Sequence, residues 1–371
     1  MKKVLFAATV DSHILNFHIP YLKYFKDSGY EVHVATNSDK EIPYCDVKHK
    51  VSFERKPFKV NNIRAIGQLK KIIDKENFDI IHCHTPMGGA VTRIAAKKAR
   101  KRGTKVFYTA HGFHFFKGAP LLNWLLFYPV EKHLSKYTDA LITINEEDYN
   151  IANKKFHAKK TYLVHGVGVD PTKFNIEMSE DEKNELRKSL GLNKEDFVLI
   201  YVAELSKRKH QDMAINVAKY LLENNIQVKL LLVGNDSLKG YYQDMVKKYR
   251  VDDNVKFLGY RKDIPNLLKI SDLLISTSKQ EGLPVNIMEG IEQKIPIICT
   301  NCRGNRDLIK NNVNGFLVDI DDIYQMAEDI KVIMKNRDIR QTFMQKGKEK
   351  IKKYEIDNVM KEMDEIYAGQ I

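Results

Sequence analysis

Short apolar runs of strand length alternate with longer amphipathic stretches of helical period along almost the whole chain. Residues 3–8 are an apolar strand, 10–13 a polar loop, 14–28 a helix stopped at Gly29, and 31–35 an alternating strand. Helix 61–76, strand 80–82, helix 87–101 behind Pro86 and strand 105–109 continue the series. Then come the aromatic helix 120–137, strand 140–144 and a helix opening on Asn145 and three acids. After Asp170-Pro171 the pattern breaks into a charged helix, 179–190, ended by Gly191. A second series follows: strand 196–202, helix 211–224, strand 228–233, helix 241–249 and strand 255–258. Strands over 273–276 and 295–299 flank a short helix opening at Pro284, and 338–367 reads as basic, amphipathic helices. This alternation predicts parallel sheets in an α/β chain of 371 residues, too long for one small core.

Ligands of such sheets gather beyond the C-terminal ends of the strands, so the residues that follow each strand carry the candidate chemistry. Behind the first strand stand Asp11, Ser12, His13 and His18; behind strand 105–109 stands His111. Behind strand 196–202 lies Ser206-Lys207-Arg208-Lys209-His210, cations suited to a diphosphate and to the charge arriving on a phosphate leaving group. Tyr260 and Arg261 follow strand 255–258. Glu281 sits in the loop after strand 273–276 and Glu289 on the next helix, whose free amides at Gly282 and Leu283 suit a phosphate. Carboxylates beside a dianion need another partner, and hydroxyls are the natural one. A sugar nucleotide offers both surfaces.

Glu281-Gly282-Leu283-Pro284 followed by Glu289 resembles the signature of retaining GT-B glycosyltransferases of family 4, in the capsular and exopolysaccharide subgroup. The resemblance implies two Rossmann-like domains facing a central cleft: 1–175 on the acceptor side, 176–350 binding the nucleotide sugar, and 351–371 crossing back to the first domain. It places Glu281 by the donor sugar, Glu289 on the ribose, Lys209 on the phosphates and His111 near the sugar. Glu204 stands where that family has an arginine, with Arg208 as a substitute cation, and Asp11-Ser12-His13 replaces its usual glycines. Gly259-Tyr260-Arg261 matches its base-binding loop and Gly315 its late turn. The implied donor is a nucleotide sugar, with no cofactor and no metal. A GT-B epimerase or phosphorylase, and a nonenzymatic polyanion binder, stay open as other readings.

Charge adds a membrane to the picture. Residues 1–175 hold 29 basic and 16 acidic side chains, so the first half carries the whole net charge of +13. Such a field suits an anionic membrane surface, and no nucleic-acid module accompanies it. The helix around Trp124, with Phe115, Phe116 and Lys117 before it, reads either as an interfacial or as a core helix. No apolar run reaches the ~20 residues needed to span a bilayer. The four cysteines form no zinc pattern, and strand alternation argues against a metal at His82-Cys83-His84. The expected place is the cytoplasm, peripheral at the inner face of the membrane, and the expected acceptor a polyprenyl-diphosphate-linked glycan.

Overall fold

The computed structural model describes residues 1–57 and 59–369. The chain divides into two compact units, Met1–Gly168 with the C-terminal segment from Asp357, and Val169–Ile356. The first holds an all-parallel sheet in the order β3-β2-β1-β4-β5-β6-β7. Its strands are β1 (Lys3–Ala7), β2 (Glu31–Thr36), β3 (Val47–Lys50), β4 (Ile80–His84), β5 (Lys105–Ala110), β6 (Ala140–Thr143) and β7 (Lys160–Leu163). The second holds a parallel sheet in the order β10-β9-β8-β11-β12-β13. These are β8 (Val198–Val202), β9 (Lys229–Val233), β10 (Val255–Gly259), β11 (Leu273–Ser276), β12 (Ile297–Thr300) and β13 (Phe316–Val318). In each sheet the chain winds outward from its first strand, then returns to that strand's other side. The loops after β1 and β4, and those after β8 and β11, therefore diverge, and each sheet opens a crevice at its switch point.

Local chemistry moves several boundaries from their expected places. Residues 11–13 are not a loop but the first turn of helix Asp11–Phe17, where Asp11 meets the positive end of the helix. The single helix expected over 14–28 is two, broken at His18 ahead of Pro20, which has no amide proton to continue the ladder. Pro284 is the N-cap rather than the first residue of helix Val285–Glu292. The edge strands β3 and β7, with sequences VKHK and KTYL, went unread because they are half polar and carry no continuous apolar run.

Helix Pro86–Ala95 packs close against its sheet because it begins with small residues. A Cβ on Gly89 would lie 2.3 Å from the Tyr108 ring, and one on Gly88 would lie 2.6 Å from Thr85 Oγ1. Thr85 itself, a β-branched residue, has φ of +64°, a conformation normally tolerated only where the surroundings impose it. Its hydroxyl accepts from the Thr9 amide at 3.2 Å, which ties the end of β4 to the end of β1.

From the same helix the Arg93 side chain is fully buried, donating to Glu131 at 2.8 Å and to the Gly89 carbonyl at 3.0 Å. Its guanidinium lies 3.9 Å from the centre of the Tyr108 ring, whose hydroxyl donates to Glu131 at 3.3 Å. Glu131 comes from helix Leu121–Ser135, so this network fixes that helix to the sheet. The C-terminal helix Ile356–Ala368 buries Val359, Met363, Ile366 and Tyr367 with Tyr21, Leu22 and Phe25 of the first unit. Tyr367 Oη also reaches His82 Nδ1 at 2.7 Å. Glu131→Ala would leave a buried guanidinium without its counter-charge, and we expect a loss of about 3–5 kcal/mol in urea denaturation. Arg93→Met with Glu131→Leu should recover much of that loss.

Candidate active site

The second unit assembles its site where β8 and β11 end side by side. The turn after β8 reaches His210, which caps helix Gln211–Glu223 in the left-handed region at φ of +56°. Tyr201, near the end of β8, donates to the Lys209 carbonyl at 2.7 Å and meets Ser278 Oγ at 2.8 Å. Thr277 Oγ1 donates to the His210 carbonyl at 2.8 Å. Two loops distant in sequence are thus held together by hydroxyls, and this fixes where Lys209 and Glu281 point.

They point at each other. Glu281 is buried and accepts from Lys209 Nζ at 2.5 Å and from Ser278 Oγ at 2.6 Å, with Arg208 Nη1 at 3.5 Å from its other oxygen. Burial pushes its proton affinity up, but the Lys209 and Arg208 charges outweigh burial and hold the carboxyl below its ordinary range. Arg208 is exposed and also donates to the Gln280 carbonyl at 3.0 Å. Behind the loop Arg303 donates to the Glu281 carbonyl at 2.9 Å, and a Cβ on Gly304 would lie 2.6 Å from the Gly282 carbonyl. The turn at Gly282 and Leu283 is therefore fixed on its inner side before helix Val285–Glu292 begins.

Glu289, half-buried on that helix, makes no side-chain hydrogen bond among the described residues. Burial raises its carboxyl to about 7, only partly offset by Lys173. Tyr260 is exposed at the end of β10, and Arg261 beside it is engaged by Asp263 at 2.7 and 2.5 Å. Tyr201, Thr277, Ser278 and Arg303 were not singled out from sequence. Their one signal was the hydroxyl run Ser276-Thr277-Ser278 directly behind an apolar strand.

In the first unit, the residues behind β1 separate. Asp11 turns inward, where burial would raise its carboxyl, but Lys48, Ser38, Thr36 and the Lys40 amide bind it and hold it at about 2. Its oxygens are committed to holding the loop after β2. Ser12 is exposed, while His13 meets His111, Nε2 to Nε2, at 3.3 Å. Strand alternation sends Cys83 to one face and both His82 and His84 to the other, where they join His13, His18 and His111. His82 is satisfied by Tyr367 and by Thr109 at 2.8 Å. Neither ring nitrogen of His18 or of His84 has a partner among the described residues.

Ring nitrogens of His13, His18, His84 and His111 all lie within 4.8 Å of one another, a grouping that sequence spacing did not reveal. The His18 and His84 rings lie nearly face to face, 3.8 Å apart and inclined by 27°. The grouping is otherwise mixed, with His13 edge-on to His111 at 87° and the remaining pairs tilted or edge-on. Burial keeps it neutral, with His13 lowered to about 4, Arg55 adding to that shift, and His18, His84 and His111 held well below their ordinary value. Glu31, His33 and Glu76 form a second cluster, with Lys3 paired to both glutamates.

A largely apolar cavity of about 570 Å³ opens beside the imidazoles. Its lining includes Thr9, Ser12 and His13 together with Leu126, Phe127 and Val130 of helix Leu121–Ser135. That helix proves to have two faces. Trp124, Phe127, Tyr128 and Leu134 pack inward, while Leu121, Leu122, Leu125, Leu126 and Val130 form an exposed stripe. Among the described residues no helix is long and apolar enough to cross a membrane.

Each unit has its own match among known proteins. The family profile "Glycosyl transferase 4-like" covers residues 3–145, and "Glycosyl transferases group 1" covers residues 182–350. EpsD of Bacillus subtilis (strain 168) is 42% identical over 99% of this chain and 97% of its own. The UDP-Gal:alpha-D-GlcNAc-diphosphoundecaprenol alpha-1,3-galactosyltransferase of Escherichia coli is 34% identical over 71% of this chain and 68% of its own. Among solved structures, Anabaena HepE in complex with UDP-glucose superposes with a TM-score of 0.81 over the full length of both chains, at 18% identity. Two parallel sheets of this topology, a profile on each and relatives spanning both make the chain a member of the GT-B glycosyltransferases of family 4.

Proposed function

We propose that the protein transfers a sugar, with retention of anomeric configuration, from a UDP-sugar to a hydroxyl of a glycan carried on polyprenyl diphosphate. The product would enter a surface polysaccharide. One observation carries the reading: buried Glu281 paired with half-buried Lys209 at the switch point, with Arg208 beside them and the turn into helix Val285–Glu292 directly after Glu281. Lys209 gives one of its three N–H donors to Glu281 and keeps two for a phosphate. As the bond from the anomeric carbon to the phosphate oxygen breaks, Lys209, Arg208 and the amides at Gly282 and Leu283 neutralise the departing nucleoside diphosphate. The acceptor oxygen bonds to the same face of that carbon, and its proton passes to the departing phosphate oxygen. Glu281 orients the sugar hydroxyls. His111, held neutral, adds no positive charge that would oppose an oxocarbenium-like transition state.

In this mechanism the protein cations serve the diphosphate, so transfer needs neither a metal nor a cofactor. The acceptor class is supported by the E. coli relative, whose name specifies a UDP-Gal donor and a diphosphoundecaprenol-linked acceptor. The exposed leucine stripe and the basic first half support a peripheral seat on the cytoplasmic face of an anionic membrane.

The test is a screen of UDP-sugars against polyprenyl-diphosphate-linked saccharides, with chelator present. We expect chelator-insensitive transfer that yields UDP, and a loss of at least about a hundredfold in kcat/KM for Lys209→Ala, the scale of a lost transition-state donor. Donor affinity should also report Glu289. Its raised carboxyl favours the protonated form in the ligand-free fold, a contribution present below pH 4.5 and lost as pH rises through about 7. Ribose hydroxyls need the ionised form, so UDP-sugar affinity, read by calorimetry, should rise through about pH 7 in the wild type and stay flat in Glu289→Gln. Transfer that stops on chelation, or a Lys209→Ala variant with unchanged turnover, would refute the mechanism.

A further inference from the structure

We infer that the cavity of the first unit is the seat of the isoprenoid segment next to the acceptor's diphosphate, an inference that rests on the lipid-linked reading above. At about 570 Å³ it lies within the ordinary size range of small-molecule sites. Val10, Phe17, Met87, Phe113, Phe115 and Phe127 supply an apolar wall. The carboxylate on that wall is already committed: Glu131 is paired with Arg93 and bonded by Tyr108, and Thr9 and Thr85 bond to each other at 2.7 Å. A saccharide would find few donors and acceptors here, whereas a branched hydrocarbon needs none.

The lining combines two features that match a polyprenyl diphosphate. It includes Leu126 and Val130 of the exposed stripe, so a chain leaving the cavity past them would run onto an apolar face. Arg55, also on the wall, is exposed, forms no ion pair among the described residues, and lies close enough to His13 to lower its proton affinity. Its charge belongs to the half of the chain that carries the whole net +13. A doubly esterified diphosphate at Arg55 would place the attached glycan toward the imidazoles and strand ends. A free phospholipid acyl chain would use the stripe but has no diphosphate for Arg55.

Trp124, the only tryptophan in the chain, stacks obliquely on Phe115, 5.4 Å between ring centres, so its fluorescence reports cavity occupancy. Titration with farnesyl diphosphate should change that emission saturably, whereas inorganic pyrophosphate should not. Ala90 lines the cavity, and Ala90→Leu should weaken farnesyl diphosphate about tenfold or more while leaving UDP binding unchanged. Arg55→Ala should weaken farnesyl diphosphate several-fold and leave farnesol alone. A diazirine analogue of farnesyl diphosphate should label peptides bearing Met87, Phe113 or Phe127, which tests the site without a substitution. Equal binding by Ala90→Leu, an identical response to pyrophosphate, or labelling elsewhere would overturn the assignment. Should transfer to a lipid-linked saccharide persist alongside any of those results, the cavity assignment falls and the acceptor reading stands. Should farnesyl diphosphate occupy the cavity while only soluble saccharides accept sugar, the acceptor reading falls instead.

Discussion

The ion pair between Lys209 and Glu281 is the constraint on which the second unit's site depends. The two residues are 72 positions apart, and they meet because β8 and β11 are neighbours in a parallel sheet whose chain winds away and returns. Taking both charges out of bulk water costs several kcal/mol, which the pair offsets only because hydroxyls and a second cation complete its surroundings. Removing Lys209 takes the nearest counter-charge from the buried Glu281 carboxylate. A site of this kind is fixed before any ligand arrives, which is what electrostatic stabilisation of a departing phosphate requires.

The first unit solves a different problem with the same topology. There the strand ends present neutral rings and an apolar cavity rather than charges. Burial keeps four imidazoles unprotonated, and the Arg93–Glu131–Tyr108 network neutralises the one carboxylate that the cavity wall contains. The strained Thr85 and the paired glycines behind it let helix Pro86–Ala95 sit close to β5. The strand ends of the two units thus differ in kind, with a charged pair in the second and a largely apolar cavity in the first.

Much of this was legible in the sequence, for physical reasons. Buried parallel strands read as continuous apolar runs, so both sheets were evident, and a cation turn behind one strand and a glutamate behind another marked the two side chains that pair at the switch point. Other features depend on partners far away in sequence. Nothing local told that Asp11 would be claimed by Lys48, 37 positions on. His84 was read only within the run His82-Cys83-His84, because its neighbours His13, His18 and His111 come from two other stretches of the chain. The Trp124 helix could be read two ways from periodicity because it does have two apolar faces, one packed and one exposed.

A double-mutant cycle on Lys209→Met and Glu281→Gln, read both in urea unfolding and in UDP-sugar affinity, tests the central pair most directly. Each single change should destabilise the fold, and the double variant should recover stability with a coupling energy of at least about 1 kcal/mol, while donor affinity stays low in all three. Additive stability effects, or a double variant that binds UDP-sugar as well as the wild type, would contradict the account.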